Sequence, residues 1–260
     1  MKKILIVVMI FLLVGCSGDS SRNYNEMSLD MMNLKGQVES FVQTGYNDAG
    51  EITSFDFIDM GYYMNSLASF EYDKKGNLTA QTDRSTEGDT IVTWMYSYDN
   101  KNMMNVFAID FDENISKMDY EQIFKTEEME NNTVKGVMYG VAGEERTPLT
   151  VHDRIYDKDK LIETKDFNLE AYMVYGVTYA YTDAGYILET VASEEVGVLD
   201  QMTMTYNEDN QLLSYTHLNA NFESKANFEY VAFDEKGNWT EATVTIDDLT
   251  YKLTRTYSYY

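Results

Sequence analysis

Apolar and polar residues alternate with a period of two over long stretches of this chain. Three stretches show the pattern most clearly, each with a row of apolar or aromatic residues on one face: Val92, Trp94, Tyr96 and Tyr98; Met173, Tyr175, Val177, Tyr179 and Tyr181; Tyr251, Leu253, Tyr257 and Tyr259. Arg255 interrupts the third row. A period of two predicts β-strands that bury one face, and Tyr, Val, Thr and Phe pack well on a pleated surface.

A short phrase recurs between these stretches. An aromatic residue is followed by Asp, Asn or Thr, then by two further residues, and then by Gly or Asn. Its copies begin at Tyr46, Tyr72, Tyr98, Tyr181, Tyr206 and Phe233, with a weaker copy at Tyr156. Asp and Asn side chains bond to the backbone of tight turns, and Gly or Asn adopts the positive φ that such turns need. The phrase therefore predicts turns about every 26 residues, the mark of a repeat architecture.

Each repeat has room for one hairpin and its connection. The double-length gap between Tyr98 and Tyr156 is assigned one degenerate unit at 103–150, which includes a loop at 143–148. This spacing predicts about 14 to 16 antiparallel strands, and a sheet of that width curls, splits or closes because strand twist accumulates. The sequence thus predicts an all-β domain over 34–260: an antiparallel hairpin-repeat meander that forms a curved sheet, a half-shell or a barrel-like structure.

A transmembrane barrel is an alternative that the last strand disfavours. Such a barrel needs an apolar, lipid-facing row on every strand. The face in phase with Tyr260 carries only polar residues: Lys252, Thr254, Thr256 and Ser258. The opposite face has Arg255 in its middle. A curved sheet with one aromatic face fits the pattern better.

The N-terminal residues have the features of an export signal. Lys2 and Lys3 precede an apolar run at 4–14, which is too short to span a bilayer. The sequence Leu-Val-Gly-Cys that ends at Cys16 resembles the bacterial lipobox, in which the cysteine becomes the first mature residue and carries lipid. That resemblance implies a signal peptide at 1–15, a lipidated Cys16 and attachment to the membrane through lipid. The residue after the cysteine is serine, which favours the outer membrane by the same resemblance.

Residues 16–33 are polar and lack periodicity, so we expect a flexible tether, with a helical turn at 27–32. Cys16 is the only cysteine, which excludes an intramolecular disulfide. The formal net charge of −24 repels phosphate backbones, so nucleic acid is not expected as a partner.

The sequence shows no motif that carries a known catalytic chemistry. His152 and His217 lack metal-ligand spacing and are expected at the surface, and Cys16 is assigned to lipid. No nucleotide-binding loop, zinc-protease or serine-hydrolase motif is present. We therefore predict no catalytic residue, no metal and no cofactor.

Three acidic clusters are candidates for calcium sites. They are Asp110 with Asp112 and Glu113, Asp157 with Asp159, and Asp247 with Asp248. None forms a complete calcium loop, which needs six to eight oxygen ligands. They are interpreted as acidic turn residues that face water.

The aromatic rows leave two interpretations open. In a sheet that curls they form its core, whereas in an open sheet they form a platform that stacks on sugars or grips a peptide. The candidate binding residues are Trp94, Tyr96, Tyr98, Tyr175, Tyr179 and Tyr181. A glycan or a protein is the ligand class that such a platform suits, and the oligomeric state is left open.

The phrase at 72–79 resembles the YD repeat of Rhs and teneurin-like proteins. The stretches 233–240 and 34–40 are similar to those of small bacterial lipoproteins with Rhs-like repeats. This resemblance covers most of the chain and implies β-hairpins that wind into a curved sheet or shell. It implies no particular activity.

These observations lead to one main functional hypothesis and two alternatives. The main hypothesis is a lipid-anchored, non-enzymatic envelope protein with a repetitive β domain for binding or scaffolding. The first alternative is an envelope glycan hydrolase that uses a carboxylate pair. The second is an accessory for outer-membrane assembly, which would accept a partner strand at a free sheet edge.

Overall fold

The protein is described from a computed structural model of the 260-residue chain. The structure describes residues 23–98, 104–111, 121–130, 132–142, 145–158, 160–194 and 197–260. Cys16 and the predicted signal peptide lie outside the described residues, as do the acidic candidates Asp112, Glu113 and Asp159 and the side chain of Asp110.

All regular elements of the described residues are β-strands, which confirms the predicted all-β class. Their bounds are β1 Val38–Tyr46, β2 Asp56–Asp59, β3 Tyr62–Asn65, β4 Ala68–Tyr72, β5 Leu78–Arg84, β6 Thr90–Tyr98, β7 Met104–Phe111, β8 Glu121–Glu130, β9 Thr133–Ala142, β10 Glu145–Asp157, β11 Lys160–Phe167, β12 Met173–Tyr181, β13 Ile187–Glu194, β14 Gly197–Tyr206, β15 Leu212–Asn219, β16 Phe222–Phe233, β17 Trp239–Ile246 and β18 Leu249–Tyr259. In the part of the chain that the structure describes, no helix is long and apolar enough to cross a membrane. The expected loop at 143–148 is largely strand, because β10 begins at Glu145.

Sixteen of these strands form one antiparallel sheet that closes on itself. From β4 to β18 each strand pairs with the next one along the chain, and β1 pairs with both β18 and β4. The order of strands is therefore circular, and the predicted meander is a closed barrel. The remaining strands, β2 and β3, form a separate hairpin between β1 and β4.

The recurring phrase forms turns with one shared geometry. In the β4–β5 turn the Asp73 carboxylate accepts the backbone N–H groups of Lys75 at 2.8 Å and Asn77 at 3.0 Å, and Gly76 has a φ of 83°. The same bonds recur at Asn47, Asn207 and Asp234. They also recur at Ser85 and Asn168, where the phrase does not predict a turn.

The phrase turns after β4, β12, β14 and β16 lie at one end of the barrel, because in an antiparallel meander alternate connections share an end. We call this the turn end and the opposite one the far end. The turn at Tyr46 is different, since β1 begins at the turn end and finishes at the far end. After this turn the chain continues to β2, the first strand of the separate hairpin.

Five tyrosine hydroxyl groups form hydrogen bonds between neighbouring strands of the barrel wall. The Tyr98 hydroxyl donates to the Leu78 carbonyl at 2.7 Å, and Tyr181 donates to Leu161 at 2.6 Å. Three further pairs share this arrangement: Tyr206 with Ile187, Tyr230 with Leu212, and Tyr257 with Trp239. Each bond joins a strand to the first or second residue of the strand before it. Tyr98, Tyr181 and Tyr206 thus hold the barrel wall as well as beginning copies of the phrase.

The β2–β3 hairpin fills part of the barrel interior. Its apolar side chains Phe57, Ile58, Met60 and Met64 are buried, and the Phe57 ring lies 6.2 Å from that of Phe228 on β16. A polar contact also holds the hairpin, because the Gln43 side chain on β1 donates to the Asn65 carbonyl at 2.9 Å.

Arg255, the exception in the aromatic row of β18, points inward and binds this hairpin. Its guanidinium lies 2.7 Å from the Asp59 carboxylate, and the two side chains are 0% and 4% exposed. It also donates to the Gln43 side chain at 2.9 Å and stacks on the Trp239 ring with its central carbon 3.9 Å from the ring centroid. The exception is therefore the residue that anchors the hairpin to the wall.

Residues 23–35 form a cap across the turn end. Met27, Leu29, Met31 and Met32 are buried, and the Leu29 N–H donates to the Gly76 carbonyl at 2.9 Å. The expected flexible tether at 16–33 is thus wrong for 23–33, because four apolar side chains of this segment enter the core. A bond of 2.8 Å from the Met32 N–H to the Ser28 carbonyl forms the expected helical turn.

Polar side chains bind the cap to the turns beneath it. Asn33 donates to the Asp209 and Asn210 carbonyls at 3.1 and 2.9 Å. Asn238 accepts the Lys35 N–H at 2.6 Å and donates back to the Lys35 carbonyl at 2.8 Å. The turns of the repeat therefore also serve as the seat of the cap.

The outward face of β18 is polar, as its sequence predicts. Leu253 and Arg255 are buried inside the barrel, whereas Lys252 and Thr256 on either side of this pair are exposed. On β16 the exposed residues likewise include charged ones, Glu223, Lys225 and Glu229. These rows suit contact with water.

The buried ion pair gives the first prediction. Arg255→Met leaves the Asp59 carboxylate buried without its partner, so we expect the free energy of unfolding in urea to fall by about 3–5 kcal/mol. The double variant Arg255→Met/Asp59→Asn should lose less than the two single losses combined.

Lys252→Met is the matched control on the same strand. It breaks an exposed pair with Glu241 and should change stability by less than about 1 kcal/mol. Equal effects of the Arg255 and Lys252 variants would contradict the assignment of Arg255 as the anchor.

Candidate binding cavity

A cavity of about 640 Å³ lies inside the barrel beside the β2–β3 hairpin. Its walls come from the cap, the hairpin and strands β5, β6, β10, β12, β13 and β14. The volume falls within the range of small-molecule sites, which are mostly pre-formed, largely apolar and lined by a few polar groups.

Four of the six predicted binding residues line this cavity: Trp94, Tyr96, Tyr175 and Tyr179. They reach it because the period-two rows of β6 and β12 point into the barrel. The other two, Tyr98 and Tyr181, bind backbone carbonyls and serve the wall instead. The hairpin adds Tyr62 and Tyr63, which the sequence analysis missed because neither belongs to a repeated row.

The tyrosines of the cavity remain neutral at ordinary pH. Burial raises the pKa of Tyr96 and Tyr179 well above the usual value for a phenol. Burial, together with the nearby Asp200 carboxylate, raises the pKa of Tyr63 to about 12. These rings therefore offer π-faces and hydroxyl donors rather than charge.

Carboxyl groups on separate elements also line the cavity, and they differ in environment. Burial raises the pKa of Asp83 on β5 to about 6; Asp56 on the hairpin adds to the rise, while a bond of 3.1 Å from Gln81 opposes it. Burial alone would raise the pKa of Asp200 on β14, but bonds from Asn219 and His217 outweigh it and lower that pKa. Asp200 therefore stays ionised at a pH near 6, at which Asp83 gains or loses its proton.

His217 lies between the hairpin and the barrel wall near the far end. Its Nε2 atom is 2.9 Å from the Asp200 carboxylate and 3.2 Å from the Tyr63 hydroxyl. One nitrogen faces both partners, so the three groups do not form a catalytic relay through the two sides of the ring. The expectation that His217 is a surface residue is wrong, because it is only 9% exposed.

His152 has a similar partner on the next strand. It pairs with Asp166 across β10 and β11, and its Nε2 atom lies 2.8 Å from the Thr150 hydroxyl. Among the residues that the structure describes, no group of three or more His, Cys, Asp and Glu side chains is placed to hold a metal ion. Asp247 and Asp248 are exposed in the turn between β17 and β18, as the sequence predicts, and Asp247 also accepts the N–H of Lys225 on β16 at 2.9 Å.

A larger space of about 1040 Å³ lies at the turn end, between the cap and the β14–β17 side of the barrel. Many of the residues that line it belong to turns, such as Asn207, Glu208 and Lys236. It contains none of the predicted binding residues. The smaller cavity, which joins the aromatic rows to the hairpin, is therefore the candidate site.

Comparison with known proteins leaves the family open. No family model matches the chain, and no curated protein matches it. A porin-like protein from Bacteroides uniformis has 9% sequence identity and a TM-score of 0.39, over 86% of this chain and 98% of that one. A porin-like protein from Bacteroides vulgatus has 12% identity and a TM-score of 0.41, over 85% and 99%. Likenesses this weak carry nothing about function, which is inferred below from the chain's own residues.

The raised pKa of Asp83 gives the second prediction. Because the folded protein holds this proton more tightly than the unfolded chain, folding takes up a proton between about pH 4 and pH 6. The Asp83→Asn variant should therefore gain stability relative to the wild type as the pH rises through that range. Since Asp83 is only partly buried, we expect a gain of about 1–2 kcal/mol, measured by urea unfolding at several pH values.

Asp183→Asn, in the exposed turn after β12, is the control and should show no such gain. Parallel pH profiles for the two variants would show that Asp83 is solvated like a surface carboxylate.

Proposed function

We propose that this protein is a lipid-anchored cell-envelope protein that binds a ligand inside its barrel and does not transform it. The observation that carries the proposal is that the inward aromatic rows of β6 and β12 line a cavity instead of packing shut. A glycan is the first ligand class to test, because the apolar faces of sugar rings pack against aromatic side chains, and polar groups at the margin bind hydroxyls.

Assembly by strand addition has less support. That alternative needs a free sheet edge. Among the described strands, the sixteen of the barrel pair in a circle and leave no free edge in the main sheet. The β2–β3 hairpin has edges of its own, but its side chains Phe57, Ile58 and Met64 are buried against the barrel wall. A protein partner would therefore bind a surface other than a strand edge.

The proposed anchor also orients the barrel. Residues 16–22 join Cys16 to the cap and span at most about 24 Å when fully extended. The cap lies over the turn end, so that end would face the membrane. The far end, near Tyr63 and Asp200, would point away from it.

Lipidation is the third prediction. Labelling cells with a palmitate analogue should mark the wild-type protein and leave Cys16→Ser unmarked, since this cysteine is the predicted acyl acceptor. Globomycin, which blocks the lipoprotein signal peptidase, should cause the precursor to accumulate. A wild-type protein that is released without label would overturn the anchor.

Ligand binding is the fourth prediction. In the full-length Cys16→Ser protein, a bound glycan should change the fluorescence of Trp94, and the change should vanish in Trp94→Phe. Tyr96→Leu and Tyr179→Leu should each weaken binding about tenfold by removing one stacked ring. Tyr172→Leu is the matched control, because that ring is 61% exposed on the β11–β12 turn.

The hydrolase alternative has some support from Asp83, because a carboxyl group with a raised pKa in a cavity is a candidate general acid. Incubating the protein with the glycans that bind it tests this alternative. The binding proposal predicts that the glycans are recovered intact. Glycan cleavage that disappears in Asp83→Asn would instead support the hydrolase. If Tyr172→Leu weakens binding as much as Tyr96→Leu does, the glycan binds outside the cavity.

A further inference from the structure

The walls of the barrel cavity combine aromatic rings with carboxylates that come from different elements. We propose that the cavity selects ligands that carry an ammonium group, held by the faces of these rings and by the surrounding carboxylates. This inference rests on the proposed function, since it names the ligand class of the same cavity.

The charge of the walls favours a cation. Asp56 on the hairpin, Asp83 on β5, Asp200 on β14 and Glu26 in the cap all line the cavity. Among the described lining residues, Arg154 on β10 is the only cation. Walls of low dielectric constant focus this negative potential into the cavity and raise the local concentration of cations.

The aromatic rings supply the second part of the recognition. Trp94, Tyr96, Tyr175 and Tyr179 line one space, and Tyr62 and Tyr63 add two more rings from the hairpin. An ammonium group over such a face is attracted by the ring quadrupole, and the attraction grows when the site excludes water. Rings of this kind bind quaternary and primary ammonium groups, whereas an anion would be repelled.

The protein's own cations already use rings of the same inner face. Lys160 lies over Tyr181 at 5.6 Å and over Tyr24 at 5.2 Å from the ring centroids. Arg255 lies over Trp239 at 3.9 Å. The protein thus already pairs positive charge with aromatic faces at two places outside the cavity.

Asp83 makes the recognition sensitive to pH. Burial raises its pKa and Asp56 on the hairpin adds to the rise, while Tyr96 on β6 interacts with it. Arg154 on β10, which lines the same cavity, interacts with Tyr96. A bound ammonium group would add positive charge beside Asp83 and favour the ionised carboxylate. Affinity for a cation should therefore fall as the pH drops through about 6.

The fifth prediction compares choline with 3,3-dimethylbutan-1-ol, its neutral isostere, by calorimetry and Trp94 fluorescence on the full-length Cys16→Ser protein. We expect choline to bind at least tenfold more tightly than the alcohol, and spermidine to compete with choline. Asp83→Asn and Tyr96→Leu should each weaken choline binding fivefold or more. Glu71→Gln, which removes an outward carboxylate on neighbouring β4, should leave it unchanged.

Measurements at pH 7.5 and pH 5 add a readout that a merely structural role of Asp83 would not give. Choline affinity should fall severalfold at the lower pH in the wild type and stay level in Asp83→Asn. Equal affinity for choline and its isostere would overturn the ammonium proposal. A neutral glycan that binds with Trp94 quenching, while choline and spermidine do not, would overturn it and leave the proposed function standing. No response to any of these ligands would overturn both.

Discussion

A ring of sixteen strands encloses more space than the side chains of its own wall can fill. Barrels of about eight strands are closed by their side chains, while those of sixteen leave an open interior. This chain fills the interior with two of its own segments, the β2–β3 hairpin and the cap at 23–35. The candidate cavity is one of the spaces that these segments leave unfilled, so its shape depends on where they are held.

The Arg255–Asp59 pair fixes the hairpin within that space. A buried ion pair contributes little net stability, because desolvation offsets most of its attraction, but a lone buried charge is strongly unfavourable. The pair therefore penalises every position of the hairpin in which the two charges separate. Stacking on Trp239 and Phe41 and the bond to Gln43 further restrict the guanidinium. In this account the ion pair specifies one arrangement of the interior, and with it the spacing between Tyr63 on the hairpin and the wall.

Local features of the fold could be predicted from the sequence. The alternation in 90–98 and 173–181 locates β6 and β12 and identifies their inward faces, because burial of one face dictates a period of two. The Asp73 and Asp234 turns follow from side-chain bonds that need only a few neighbouring residues. The turns at Ser85 and Asn168 use the same bonds. The repeated phrase does not predict these two turns.

Features that depend on distant contacts could not be predicted. Closure requires β1 to pair with β4 and β18 at once, and no local pattern encodes the choice of partners. The cap looked like a tether because its buried methionines follow no strand or helix period. In the site, Asp83 is one of 44 acidic residues in the sequence, and only its burial in the folded barrel, with a further contribution from Asp56 on the hairpin, gives it a distinct environment. Tyr98 and Tyr181 lie on the same strand faces as the cavity residues. Alternation shows on which face a side chain lies, but not how far along the strand the cavity extends.

The β2–β3 hairpin lies inside the closed barrel and is held there by Arg255. Hydrogen–deuterium exchange, read by mass spectrometry on peptides that cover 56–65, tests this arrangement. We expect these amides to exchange as slowly as those of β17 and β18, and Arg255→Met to accelerate them while the barrel strands stay protected. Exchange of 56–65 within seconds in the wild type, alongside a protected barrel wall, would contradict it.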